Sequence, residues 1–198
     1  MAAEERVESA RERILATAIE FIEREGTAKA TTRAIAAMAG VNVAAINYYF
    51  GSKDALIKAV LSQTFGHAME DLQAFLEAEP WEPRSCLLSI ATYLIEGAEK
   101  FPRITMANLF DSKGRPFESV AKGFGILVDR LAERLCAHFA VGLEDRRRDQ
   151  VLAFLSATVL PILVPVAPNR LAASETRNRY LATIVEGLLS GFGAALPL

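Results

Sequence analysis

Apolar residues recur along this chain at the three-to-four spacing of an α-helix almost from end to end, and no segment alternates as a strand would. Val7, Ala10, Ile14, Ala18, Phe21 and Ile22 share one face of a first helix, which Gly26 ends. A second helix is predicted from Thr31, whose hydroxyl is a natural N-cap, to about Ala39. There Gly40 takes the left-handed closing position and Val41 packs back on the turn. Asn42 caps a third helix over Val43 to Phe50, and Gly51-Ser52 stops it and opens a fourth at Lys53. Ile57, Val60, Leu61, Met69, Leu72, Phe75 and Leu76 keep the fourth going until Pro80, with a weak point at Gly66. Pro80 to Pro83 breaks the period, Leu87 to Ala98 restores it, and Phe101-Pro102 breaks it again before a short segment to Phe110. Asp111 to Pro116 reads as a flexible loop. Val120, Phe124, Leu127, Val128, Leu131, Leu135 and Phe139 make a further helix face, ended by Gly142. The pattern predicts an all-α protein without internal repeats.

Two later stretches depart from simple amphipathicity. Val151 to Pro168 contains no charged residue. A bilayer crossing needs about 20 apolar residues, and Pro161 and Pro165 interrupt this shorter run, so a helix buried on two sides is the better reading. One side would face its own core and the other a partner chain. The final helix carries Leu181, Ile184, Val185, Leu188, Leu189 and Phe192 as a stripe, with Gly187 and Gly191 allowing close approach.

The segment Thr31 to Lys53 is a helix-turn-helix pattern, and the side chains on its second helix give it chemistry. Ala44 and Ala45 are small enough to let a large partner approach, while Asn47, Tyr48 and Tyr49 offer an amide and two phenols. Lys53 sits in the first turn of a helix, where a cation opposes the macrodipole unless an anion compensates it. Phosphate is the natural anion, and free helix-start amides attract it as well. From Gly26 to Lys53 the cations are Lys29, Arg33 and Lys53, with no Asp or Glu among them.

These residues resemble a family. GVNVAAINYYFGSKDAL is similar to the recognition helix and start of the fourth helix of TetR/AcrR transcriptional regulators, where G-V-S-x-x-x-[LI]-Y-x-[YH]-F-x-[SN]-K-x-x-L is usual. TTRAIAAMAG resembles the first helix of that motif, and RERILATAIEFIEREG the helix before it. The resemblance covers about the first sixty residues. Asn47 stands where the family most often has tyrosine, so that tyrosine's habits do not transfer to it. The resemblance implies a homodimeric repressor, its last two helices pairing with their copies in a four-helix interface.

Composition adds bounds. The chain has 198 residues, 52% hydrophobic and 23% charged, which suits one or two packed domains and excludes disorder. A net charge of −2 means that any DNA binding rests on a local patch doubled by dimerisation. Cys86 and Cys136 have no metal spacing, and no secretory segment precedes them, so the cytoplasm is the expected compartment. Met1 to Arg13 alternates glutamates and arginines and reads as a mobile arm leading into a helix.

Catalytic chemistry finds little support. His67 and His138 are the only histidines, neither in a metal-binding spacing, so no metal and no cofactor is expected. Gly123-Phe-Gly125 and Gly191-Phe-Gly193 lack the third glycine, strand and acid of a dinucleotide site. Cys136 and His138 point to different sides of one helix. Glu144, Asp145 and Asp149 neutralise Arg146-Arg147-Arg148, leaving a solvated helix start.

The expectation is therefore a ligand-responsive DNA-binding regulator, not an enzyme and without a membrane partner. Residues 1–52 form the DNA-binding domain and residues 53–198 a helical regulatory and dimerisation domain. Thr32, Arg33, Asn42, Val43, Ala44, Ala45, Asn47, Tyr48, Tyr49 and Lys53 would meet a palindromic DNA operator. Asn47 would read adenine and Arg33 guanine, with Lys53, Tyr49 and Thr32 on phosphates. A small hydrophobic effector would be held by Phe65, Met69, Tyr93, Phe110, Phe124 and His138, and would release the operator. The homodimer would be sealed by Leu181, Val185, Gly187, Leu188 and Gly191. The competing classes are a helical small-molecule carrier or enzyme, which needs converging polar groups in the C-terminal domain, and a protein-interaction module.

Overall fold

The structure is a computed structural model that describes residues 9–110, 118–163 and 174–193. Among the described residues the regular elements are helices: α1 (Ala10–Glu25), α2 (Thr32–Ala39), α3 (Val43–Phe50), α4 (Lys53–Glu77), α5 (Pro83–Lys100), α6 (Pro102–Leu109), α7 (Glu118–Phe139), α8 (Asp145–Leu163) and α9 (Ser174–Gly191). The loop expected at Asp111 to Pro116 lies outside the described residues, as does the stretch after Leu163 in the uncharged segment.

The chain forms two compact units. The first runs through His67 and takes in the chain again from Arg103; the second holds Ala68–Pro102 and the described residues from Glu118 onward. The boundary expected after Ser52 marks the end of the helix-turn-helix, while the compact unit extends a further four turns along α4 and recruits α6.

The first unit is built on sequence-local caps. Ser9 and Glu12 make a full capping box at the start of α1, each side chain closing the other's backbone amide. Helix therefore begins at Ala10, three residues inside the arm expected to reach Arg13. Ile14, Ala18 and Ile22 of α1 are fully buried together with Ile35 of α2, Ile46 of α3, and Leu56 and Val60 of α4. One inward isoleucine from each short helix is what holds α2 and α3, eight residues apiece, in a helical form that neither length would sustain alone.

In the second unit α5 is the central element, packed against both α8 and α9. It starts earlier than the restored apolar period suggests. Pro83 occupies the first helical turn, where its missing N–H costs nothing, and the Glu82 carboxylate accepts from the Arg84 and Ser85 amides at 3.0 and 2.7 Å. Leu87, Ile90, Ala91 and Ile95 are fully buried against Leu131 and Leu135 of α7, Val151 of α8 and Val185 of α9. The arginine run at the start of α8 is a tertiary tie and not a solvated end. Arg148 pairs with Asp129 of α7 at 2.7 Å, while Arg147 lies over the Phe192 ring at 4.9 Å and donates to the Gly191 carbonyl. Cys136 is buried and His138 exposed, on opposite sides of α7.

Candidate nucleic-acid interface

Five caps set the geometry of the helix-turn-helix. Thr31 Oγ1 accepts from the Ala34 amide at 3.1 Å and opens α2. Gly40, in the left-handed conformation at φ 64°, closes it, and the Val41 amide reaches back to the Ala36 carbonyl at 3.0 Å. Asn42 Oδ1 accepts from the Ala44 amide at 2.8 Å and opens α3 two residues later. Gly51, at φ 79°, ends α3, and Ser52 Oγ accepts from the Ala55 amide at 3.1 Å to open α4. Each cap satisfies an orphan backbone group, so the turn angles follow from residues at fixed offsets.

With Ile46 buried, the opposite face of α3 must point outward. Ala44 and Asn47 are exposed, and Tyr48 projects 84% of its surface into solvent. Tyr49 is 41% exposed and meets Tyr48 edge to face at 5.0 Å between ring centres. Such large exposed aromatics side by side are costly in water and unexplained by the core. Val43 and Ala45 lie half-buried against the core of this unit, so only part of each reaches outward. The Asn42 side-chain oxygen is engaged in its cap, leaving the amide nitrogen as its free donor.

The cations divide in a way the sequence did not show. Lys29 is paired with Glu25 at 3.2 Å, and the same carboxylate, held below its usual range chiefly by Lys29, also takes Arg24. Arg33 on the first turn of α2 and Lys53 on the first turn of α4 have no carboxylate partner among the described residues. Thr32 is half-exposed beside Arg33. The electropositive patch is thus narrower than the acid-free segment, and it lies at the two helix starts that flank α3. Sequence reasoning overlooked Arg11, whose guanidinium rests over the ring of Phe50 at 5.5 Å, at the last residue of α3. No local spacing links residues so far apart in the chain.

The description "Bacterial regulatory proteins, tetR family" matches residues 14–60. Over these residues the chain is similar to that family. The match spans most of α1, all of α2 and α3, and the first turns of α4, which is where the capped geometry lies. A curated relative, the HTH-type transcriptional dual regulator CecR of Shigella flexneri, is 40% identical over 81 residues. That alignment covers 37% of this chain, and the chain spans about a third (36%) of the relative's length. Solved structures share the fold over almost the whole chain. A TetR-like transcriptional regulator from Rhodococcus sp. RHA1 superposes with a TM-score of 0.67 at 19% identity, covering 94% of this chain and 97% of that one. The transcriptional regulator FadR from Bacillus subtilis, in complex with stearoyl-CoA, gives 0.66 at 17% identity, with 90% and 97% covered. The all-α reading, with an N-terminal helix-turn-helix followed by a helical domain, stands.

The residues expected at the other two sites fall differently. Phe65 and Phe110 belong to the first unit, and Met69, Tyr93, Phe124 and His138 to the second. Met69, Tyr93 and Phe124 pack half-buried against the second core. The Tyr93 hydroxyl donates to Asp71 at 2.7 Å, and its pKa is pushed up to about 12 by burial and by that carboxylate. His138 is exposed and meets Trp81 and Phe139 edge-on at 5.6 and 4.8 Å, near the end of α7. Two surface depressions are lined by other residues. One of about 510 Å³ lies between Arg11, Glu12, Leu15, Ala59, Ser62 and Gln63, and one of about 400 Å³ between Leu76, Glu77, Arg130, Glu133 and Arg134.

The expected dimer stripe points mainly inward. Leu181, Val185 and Leu188 are buried in the chain's own core, and the close approach at Gly191 is made by Gln150 of the same chain. A Cβ on Gly191 would lie 2.3 Å from Gln150 Nε2. Gly187 alone of the five is exposed, beside Thr183 and Ser190 on the outer face of α9. A stripe that fills a core and a stripe that seals an interface have the same helical period, which is why spacing could not separate them. Among the described residues no group of His, Cys, Asp and Glu is arranged to hold a metal, and no helix is long and apolar enough to cross a membrane.

Proposed function

We propose that the chain is a transcriptional regulator that reads a two-fold symmetric DNA operator as a homodimer and is released from it by an apolar small molecule. The observation that carries this reading is the outer face of α3, where Asn47 and Tyr48 stand exposed on a helix clamped by caps at both ends. Asn47 has the bidentate amide that suits adenine in the major groove, and Arg33 the fork that suits guanine. Lys53, Tyr49 and Thr32 take phosphates and fix the register without reading sequence. CecR of Shigella flexneri, 40% identical over 81 residues, is a transcriptional dual regulator, which supports the assignment.

Dimerisation runs through the outer faces of α8 and α9, where Leu152 keeps 50% of its surface exposed beside Ala153 and Ser156. The effector is held in the second unit near Met69, Tyr93 and Phe124. The FadR complex with stearoyl-CoA supports a fold that can hold a ligand with a long acyl chain. The effector acts as a repressor's inducer: by linkage it weakens DNA binding by the same factor as DNA weakens its own binding.

The decisive experiment selects duplexes from a random pool with purified protein and measures affinity for the winner by fluorescence anisotropy at graded salt. Asn47→Ala should cost about 1–3 kcal/mol on the selected site and relax one position per half-site. Lys53→Ala should weaken all duplexes alike and lower the salt slope by about one. Equal losses on selected and scrambled DNA in Asn47→Ala would remove it from base reading.

A further inference from the structure

Helix α6 has eight residues, short of the roughly 12–15 that an isolated helix needs in water, so its form depends on what it touches. Its first turn is closed by a side chain 80 residues upstream of Arg103. The Glu23 carboxylate of α1 accepts from the Arg103 amide at 3.3 Å and from the Ile104 amide at 3.0 Å. These are two of the four donors that a helix start leaves without an intrahelical partner. The closure also runs the other way. The Arg103 guanidinium donates to the carbonyl of Arg24, in the last turn of α1, where the helix dipole presents its negative end. Ile104 is buried in the first unit's core, and Asn108 Nδ2 donates to Thr64 Oγ1 of α4 at 2.9 Å.

In chain order α6 is nevertheless the continuation of α5. Phe101 alone separates them, and the proline ring of Pro102 restricts the next backbone angle. Since α1 packs on both α2 and α3, a disturbance of its last turn is passed to the helix-turn-helix through a packed interior that does not deform smoothly.

We propose that the reciprocal cap between Glu23 and Arg103 is a latch tying α6 to α1, and that opening it loosens α3 and weakens DNA binding. The consequence for DNA rests on the function proposed above; the loosening of α3 does not.

Glu23→Ala removes both accepting oxygens. It should lower affinity for the selected duplex about five-fold or more, the lower end of typical coupling between sites. Amide hydrogen exchange should rise in the last turn of α1 and across Val43–Phe50, not only at Arg103 and Ile104. Arg103→Ala should do the same, and the double variant should be no worse than the worse single one, because both break one device. Glu23→Gln keeps one accepting oxygen and should recover part of both effects; it carries the comparison if Glu23→Ala fails to fold. Faster exchange confined to α6, with α3 protected as in the wild type, would overturn the latch. A wild type that binds no duplex would defeat the function reading alone, and the α3 exchange would still decide the latch.

Discussion

In the first unit the residues proposed to do the chemistry are the exposed ones, whereas in the second they are half-buried or packed into the core. Asn47 and Tyr48 stand in solvent on a helix whose opposite side is anchored by Ile46. Met69, Tyr93 and Phe124 instead border a core that also claims Leu181, Val185 and Leu188. The difference teaches where a side chain's identity is informative. On an exposed face, two adjacent aromatic rings such as Tyr48 and Tyr49 need a reason to be there, since packing supplies none. Against a core, a phenylalanine is explained by burial alone, and its pattern says nothing about a ligand or a partner.

The strongest way to break this contrast uses neighbouring residues of α9. Leu188→Arg places a charge in the chain's own core and should cost more than about 4 kcal/mol, unfolding the second unit outright. Gly187→Leu, one residue away on the outer face with open space around it, should leave the fold near wild-type stability and shift the protein towards monomer. Urea denaturation followed by circular dichroism, with sedimentation on the same samples, separates the two. A soluble, folded Leu188→Arg monomer would return that leucine to the dimer interface.

A smaller effect sharpens the role of Asn42, which was expected both to cap α3 and to meet DNA, and which is seen in the cap. Asn42→Ala should cost about 1 kcal/mol of stability by freeing the Ala44 amide, and Asn42→Ser should restore it, since a hydroxyl caps equally well. If the free amide nitrogen also touches DNA, the serine variant regains stability without regaining operator affinity. Recovery of both would confine Asn42 to the cap.

The smallest effect lies in the second unit and depends on pH. Tyr93 has its folded pKa raised from 10 to about 12, by burial first and then by Asp71. A raised value means that the neutral phenol is favoured in the folded state. Its contribution is complete below the unfolded pKa and is lost as pH rises through the folded one, between about 10 and 12. Tyr93→Phe should flatten the decline in melting temperature over that window and remove a phenolate that appears between about 10 and 12 in an absorbance titration. A lost phenolate that titrates near 10, the ordinary value, would show that neither burial nor Asp71 raises Tyr93.

What was legible in the chain and what was not divides along the same line. The helix-turn-helix could be read directly because its determinants are local: Thr31, Gly40, Asn42, Gly51 and Ser52 each act on backbone groups within about four residues. The start of α5 was misjudged by several residues because a proline was taken as a breaker, when at a first helical turn it has no N–H to lose. Other features required the folded chain. That Lys29 is neutralised while Arg33 and Lys53 are not depends on which carboxylates come near. That α6 closes against α1 depends on Glu23 and Arg103 meeting across 80 positions. That Gly191 makes room for Gln150, and not for a second chain, depends on how α8 lies beside α9. Helical period and capping are set by neighbours along the chain, so the sequence by itself determined most of the helices and the caps of the helix-turn-helix. Which face of a helix meets which neighbour is set by burial among distant segments, and only the tertiary structure decided it.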